Sequence, residues 1–298
     1  MKLLDKAYKY FWNNMVASND EKRMSKQTLP DGITAIIDVP YLDDGKKEHL
    51  LDIYYPETAT EKLPVIIDIH GGGLMYAYKE LNKNYCYNLA KRGFLVVNVS
   101  YSLAPDNKYP AALMDCVSAL NWVEENISSY LADKDRMYIT GDSAGGLLAS
   151  ICVVLTKSET LRKVYGVDVK LPEFKAAGIT SGMFDFDKGL VKILSNGIFG
   201  KGGYKKYEHS EYLPFANIIK SPSDFIPVFL VTSEEDMVHE SSVDFKVLMD
   251  KLGIENLYLD YPKGGKNKLE HVFSVLYPIE YEESVETIDK MVEFFLAH

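Results

Sequence analysis

Gly141-Asp142-Ser143-Ala144-Gly145 decides how this chain is read. The residues before it, Arg136 to Thr140, have strand character. Those after it, Gly146-Leu147-Leu148-Ala149-Ser150-Ile151-Cys152-Val153-Val154-Leu155, are apolar on every side, as a buried helix is. A serine with glycine two residues to either side, at a strand-to-helix turn, is the pattern of a nucleophile elbow. The backbone is strained at the serine, and side chains at the glycine positions would collide across the turn. Five residues with three fixed positions recur by chance, and a plain glycine turn binding phosphate at a helix N-terminus reads the same way. The strand and the helix on either side make the nucleophile the better reading.

Outward from this stretch, short runs rich in β-branched residues recur: Ile33 to Val39, Leu50 to Tyr55, Val65 to Ile69, Phe94 to Val99, Arg136 to Thr140, Ala176 to Thr180, Val228 to Thr232 and Leu257 to Tyr261. From Val65 onward most are continuously apolar, the mark of strands covered on both faces. Between them Ala112, Cys116, Ala119, Leu120 and Val123 repeat at helical spacing, as do Ile288, Met291, Val292 and Phe295. The alternation predicts an α/β fold with a mostly parallel sheet and helices on both faces; the first two strands, with no helix between them, form an antiparallel edge. Residues 1–28 and 183–222 break the alternation and are read as cap segments on a single catalytic domain spanning 1–298.

The chain has 298 residues, 47% hydrophobic and 26% charged, enough for one large core. Its net charge of -10 argues against nucleic acid and anionic membranes as partners. No segment reaches the roughly 18 to 20 apolar residues that span a bilayer. Residues 1–12 carry Lys2, Asp5, Lys6 and Lys9 among the apolar ones, unlike a signal peptide, so a cytoplasmic protein is expected. Cys86, Cys116 and Cys152 are odd in number and sit in apolar helical settings, reading as small buried hydrophobes rather than a disulfide or zinc framework.

His70-Gly71-Gly72-Gly73 follows the strand ending at Ile69. Consecutive glycines let backbone N–H groups turn toward a cavity, as an oxyanion hole requires; Gly71 and Gly72 are the expected donors, with the N–H of Ala144. A serine hydroxyl needs a general base and a group that orients the base. Of six histidines, His271 alone lies between the last strand and the C-terminal helix, after both serine and acid. The strand Pro227 to Thr232 opens into Ser233-Glu234-Glu235-Asp236, which places the acid in this loop and leaves three carboxylates open.

With these residues in hand, the chain resembles the hormone-sensitive-lipase-like family of esterases, also called bacterial family IV or the α/β-hydrolase-3 group. The resemblance runs from about Leu50 to the C-terminus. It rests on Leu51-Asp52-Ile53-Tyr54-Tyr55-Pro56, the His70 glycine box, Tyr101-Ser102-Leu103-Ala104-Pro105 continuing to Tyr109-Pro110-Ala111-Ala112, the Gly141 to Gly146 elbow, Asp236, and His271-Val272-Phe273. It implies the α/β-hydrolase fold with an eight-stranded sheet and helical cap, a Ser143-Asp236-His271 triad with Asp236 the acid, oxyanion donors at Gly71, Gly72 and Ala144, and no cofactor. Met237, Ser102 and Leu74 stand where the family usually carries Pro, Arg and an aromatic residue.

The expected activity is therefore hydrolysis of small, short-acyl carboxylic esters through an acyl-enzyme. A peptidase or amidase of the same fold, a deacetylase of acetylated sugars, and a receptor-like binder that has lost catalysis are the alternatives. No metal is expected, because no histidine pair has ligand spacing such as H-E-x-x-H. The expected partner is a small ester; a homodimer is compatible with the sequence. Short acyl groups are expected because Tyr8, Phe11, Trp12, Met183, Phe184, Phe186, Tyr204 and Tyr207 would crowd the pocket from the cap.

Overall fold

The computed structural model describes residues 3–298. Helices α1 (Leu3–Phe11) and α2 (Ala17–Met24), joined by a π-helical turn, precede β1 (Ile33–Pro40), β2 (Leu50–Pro56) and β3 (Leu63–Ile69). Then come α3 (Lys83–Lys91), β4 (Leu95–Val99), α4 (Ala111–Asn126), β5 (Ala132–Asp142), α5 (Ala144–Lys157), α6 (Glu159–Tyr165) and β6 (Ala176–Thr180). The excursion to β7 (Val228–Ser233) contains α7 (Gly189–Phe199) and α8 (Phe215–Ile218). The chain closes with α9 (His239–Leu252), β8 (Asn256–Tyr261), α10 (Phe273–Leu276) and α11 (Glu282–Leu296).

The eight strands form one sheet in the order β1-β2-β4-β3-β5-β6-β7-β8. β1 and β2 pair antiparallel, β2 meets β4 antiparallel, and all other neighbours are parallel. The antiparallel edge is thus where the sequence puts it, and all eight runs are strands. β5 is longer than its apolar core, because Ala132 and Asp133 pair with Leu63 and Pro64 before a register shift. That polar start carries no apolar signal.

β4, β6 and β7 are buried along their whole length, as strands with helices on both faces must be. Side chains alternate between two apolar layers. Val65, Ile67, Leu95, Val97, Ile139 and Leu230 face one, and Ile66, Val96, Tyr138, Ala176 and Phe229 the other, where Ile288, Met291, Val292 and Phe295 of α11 meet them. Trimming a fully buried Ile66 or Ile139 to Ala would cost about 2–5 kcal/mol. Helix α5 is buried from Ala144 to Leu155, so it needs no polar face.

The N-terminal helices pack against the excursion between β6 and β7. The Tyr8 hydroxyl donates to the Ile193 carbonyl of α7 at 2.7 Å, and Arg23 Nη1 donates to the Leu276 carbonyl of α10 at 2.9 Å. The first of the two segments expected to form a cap thus meets α7 of the second through Tyr8; residues 1 and 2 of that expectation lie outside the described residues. No single described helix is long and apolar enough to cross a membrane.

Candidate active site

Strand β5 ends at Asp142, and Ser143 turns the chain into α5 with φ 52° and ψ -115°. That conformation is strained for a residue with a Cβ. Its geometry explains the glycines. A Cβ on Gly145 would lie 1.8 Å from the Ile69 carbonyl oxygen, and one on Gly141 would lie 2.6 Å from the Gly145 carbonyl. The Ser143 N–H is anchored on the Thr180 carbonyl at 2.9 Å.

His271 lies in the loop after β8, with Nε2 2.9 Å from Ser143 Oγ and Nδ1 2.8 Å from Asp236 Oδ1. The Asp236 side chain is only 1% exposed. It also accepts the Val238 N–H at 2.8 Å and the Thr232 hydroxyl at 3.3 Å. Burial pushes its pKa up, but the His271 hydrogen bond and charge, with help from Ser181 and the Val238 amide, hold it below the usual carboxylate range. The two neighbouring carboxylates go elsewhere. Glu234 accepts the Lys263 N–H at 3.1 Å and Glu235 the Leu269 N–H at 2.7 Å, so both fasten the loop that carries His271.

The other histidines lie apart from this chain of hydrogen bonds. His70 is fully buried, stacked on Tyr101 at 4.3 Å, and burial pushes its pKa down to about 4. His49 sits between Asp44 and Asp115, His239 on Asp260, and His298 on Glu255. Among the described residues no group of three or more His, Cys, Asp or Glu could hold a metal ion. Cys86, Cys116 and Cys152 are free and buried.

The glycine box requires a correction. Gly71 was expected to point its N–H into the cavity, but that N–H donates to Asp142 Oδ1 at 3.0 Å, beneath the elbow. Asp142 is itself buried and also accepts from Asn82 Nδ2 at 2.8 Å. The glycines that line the cavity with Ser143 are Gly72 and Gly73. Among the described residues neither has an acceptor for its N–H, and Ala144, first residue of α5, has the unsatisfied N–H of a helix start. Gly72 and Gly73 have φ 105° and 61°, backbone that glycine adopts freely. Register within a triple glycine cannot be read from sequence alone; the carboxylate at Asp142 selects it.

The cavity over Ser143 and His271 has a volume of about 610 Å3. Trp12 and Leu194 pack directly on Gly73, where an added Cβ would meet each at 3.2 Å, and Tyr76 stacks on Trp12 at 5.6 Å. Of the eight side chains expected to crowd it, Phe11, Trp12 and Met183 line it. Tyr8 hydrogen-bonds to α7, Tyr207 meets Tyr109 edge-on, and Phe184, Phe186 and Tyr204 line a separate cavity of about 290 Å3 with Phe215 and Phe245. An aromatic residue in a cap segment has two faces to choose from, and its sequence does not say which.

The family model described as BD-FAE matches residues 51–186. Carboxylesterase NlhH of Mycobacterium tuberculosis is 33% identical over 115 residues, 38% of this chain and 36% of that protein. Esterase LipQ of the same organism is 31% identical over 199 residues, 60% of this chain and 46% of that one. The chain thus spans less than half the length of either curated relative. Esterase B from Lactobacillus rhamnosis, a solved structure, is 26% identical with a TM-score of 0.91, covering 99% of this chain and 94% of that one. Sheet order, elbow and the hydrogen-bonded serine, histidine and aspartate together define an α/β hydrolase. Within that class, the chain is similar to carboxylesterases and esterases, over part of the curated relatives and over nearly the whole of Esterase B.

Proposed function

We propose that this protein is a serine carboxylesterase acting on small, short-acyl esters. The observation that carries the reading is the unbroken series Ser143 Oγ, His271 Nε2, His271 Nδ1, Asp236 Oδ1, with contacts of 2.9 and 2.8 Å. Ser143 Oγ attacks the ester carbonyl while His271 removes its proton, and Asp236 holds the imidazole in the tautomer that can accept it. The oxyanion is held by the N–H groups of Gly72, Gly73 and Ala144, which no acceptor among the described residues claims. His271 then protonates the departing alkoxide. Water, deprotonated by the same histidine, releases the acid and restores Ser143.

Residues 1–28 and 183–222 are the cap in this reading, closing the cavity against water. Support for short acyl groups comes from Trp12, Tyr76 and Leu194, which wall the cavity beside Gly73, and from Esterase B, whose structure carries a C4-C4 tributyrin phosphonate. The test is kcat/KM on p-nitrophenyl esters from acetate to palmitate, with matched anilides, for wild type, Ser143→Ala and Asp236→Asn. Both variants should lose about a thousandfold or more. Optimal turnover should fall between acetate and butyrate, and anilides should be slow. A Ser143→Ala variant retaining more than about a thousandth of the rate would refute the mechanism, and a rate rising steadily to palmitate would refute the short-acyl pocket.

A further inference from the structure

Two strained residues face each other beside the triad, and neither is glycine. Ser181, the residue after β6, has φ 52°, and Val272, the residue after His271, has φ 54° and ψ 32°. For β-branched Val272 that region is a marked outlier, which the surroundings must impose. The Val272 N–H donates to Ser181 Oγ at 3.3 Å, and Ser181 is 1% exposed. The backbone on either side of this contact is equally committed. The Thr180 carbonyl accepts the Ser143 N–H at 2.9 Å, and the Ser181 N–H donates to the Val231 carbonyl of β7 at 2.8 Å. Two consecutive residues at the end of β6 therefore touch the nucleophile's backbone, the acid's strand and the histidine's loop.

We infer that Ser181 is a positioning residue whose buried hydroxyl, through the Val272 amide, fixes the peptide that carries His271 between Asp236 and Ser143. Because its Oγ accepts from Val272, its O–H is left to donate, and Asp236 lies beside it, where the hydroxyl favours the ionised carboxylate. Asp236 in turn receives His271, Val238 and Thr232. The serine thus meets both the acid and the residue following the base. Removing it frees Val272 to leave its left-handed conformation and carry the imidazole with it. This inference rests on the esterase reading above.

Two variants separate the hydroxyl from the strain. Ser181→Gly removes the hydroxyl but suits φ 52°, so it should fold as well as wild type or better. Ser181→Ala removes the hydroxyl and keeps the strain. Steady-state kinetics on p-nitrophenyl butyrate should show kcat reduced about tenfold or more in both, with KM within about twofold, because a misplaced base affects the reaction and not substrate binding. The thermal midpoint of Ser181→Gly should equal or exceed that of wild type. A glycine variant with wild-type kcat overturns the proposal, whether its stability falls or not, since a purely structural tie lowers the midpoint alone. Wild-type protein inactive on every ester tried and unlabelled by a fluorophosphonate would instead overturn the esterase reading, and this inference with it.

Discussion

Replacing Gly71 by alanine tests the corrected oxyanion loop. Gly71 has no left-handed φ, so alanine carries no backbone penalty there, and the effect comes from the new Cβ alone. That atom would lie 2.3 Å from Asp142 Oδ2, 3.0 Å from the Asp142 carbonyl oxygen and 3.2 Å from Asp142 Cγ. Ordinary contact begins at 3.4 Å, so loop and carboxylate must separate by 3.4 minus 2.3, or 1.1 Å. Asp142 has no room to retreat, because it is buried and bonded to Asn82. The loop must move instead, and Gly72 and Gly73 move with it. A misplacement of about 1 Å costs on the order of 100-fold. That is about 2.7 kcal/mol of transition-state stabilisation at 1.36 kcal/mol per decade. The assay is kcat/KM on p-nitrophenyl butyrate beside a thermal melt, with the loss falling mainly in kcat. A Gly71→Ala variant within about threefold of wild type would refute the placement of Gly71 against Asp142 and of the donors on the next two glycines.

The remaining predictions concern buried charge and substrate charge. Asp68 is fully buried, and burial, followed by the neighbouring Asp142 charge, pushes its pKa up to about 8. The folded state therefore keeps a proton that the unfolded chain releases near pH 3.9, and stability from this group declines as pH rises between about 4 and about 8. Asp68→Asn should raise the thermal midpoint at about pH 8.5 and change it little at about pH 5; an equal gain at both would contradict the raised pKa. The cavity wall carries Asp20, Glu235 and Glu270, and no lysine or arginine among its described lining residues. A p-nitrophenyl hemisuccinate should accordingly show about tenfold lower kcat/KM than the pentanoate, with the gap narrowing at about 1 M salt. Equal rates at low salt would show that these carboxylates exert no field on the substrate.

All eight strands were legible because β-branched apolar runs between turns and helices have few other readings. Ser143 and His271 were legible from placement: the elbow sits between a strand and an apolar helix, and His271 follows the last strand. Asp236 was harder, since three carboxylates share one loop, and the structure separates them by what each accepts. The place of the Gly71 N–H was not legible because its partner, Asp142, is 71 residues distant in sequence and reaches it only through the β3–β5 pairing. Ser181 left no signal. A serine after a buried strand is ordinary, and only its positive φ and its contact with Val272 distinguish it. For the aromatics of residues 1–28 and 183–222, burial and the cavity each one faces are set by how these segments fold back on the sheet, which leaves Phe11 38% exposed and Phe186 buried.

The central claim, that Ser143 is the nucleophile of an ester hydrolase, is tested most directly by covalent trapping. The protein would be incubated with p-nitrophenyl butylphosphonate, digested, and the peptide carrying Gly141 to Gly145 analysed by mass spectrometry, with residual hydrolysis of p-nitrophenyl butyrate followed in parallel. The account predicts one phosphonyl group per chain, located on Ser143, formed in step with loss of activity, slowed by competing butyrate ester and absent in Ser143→Ala. A phosphonyl group on another residue, or full loss of activity with Ser143 unmodified, would contradict it.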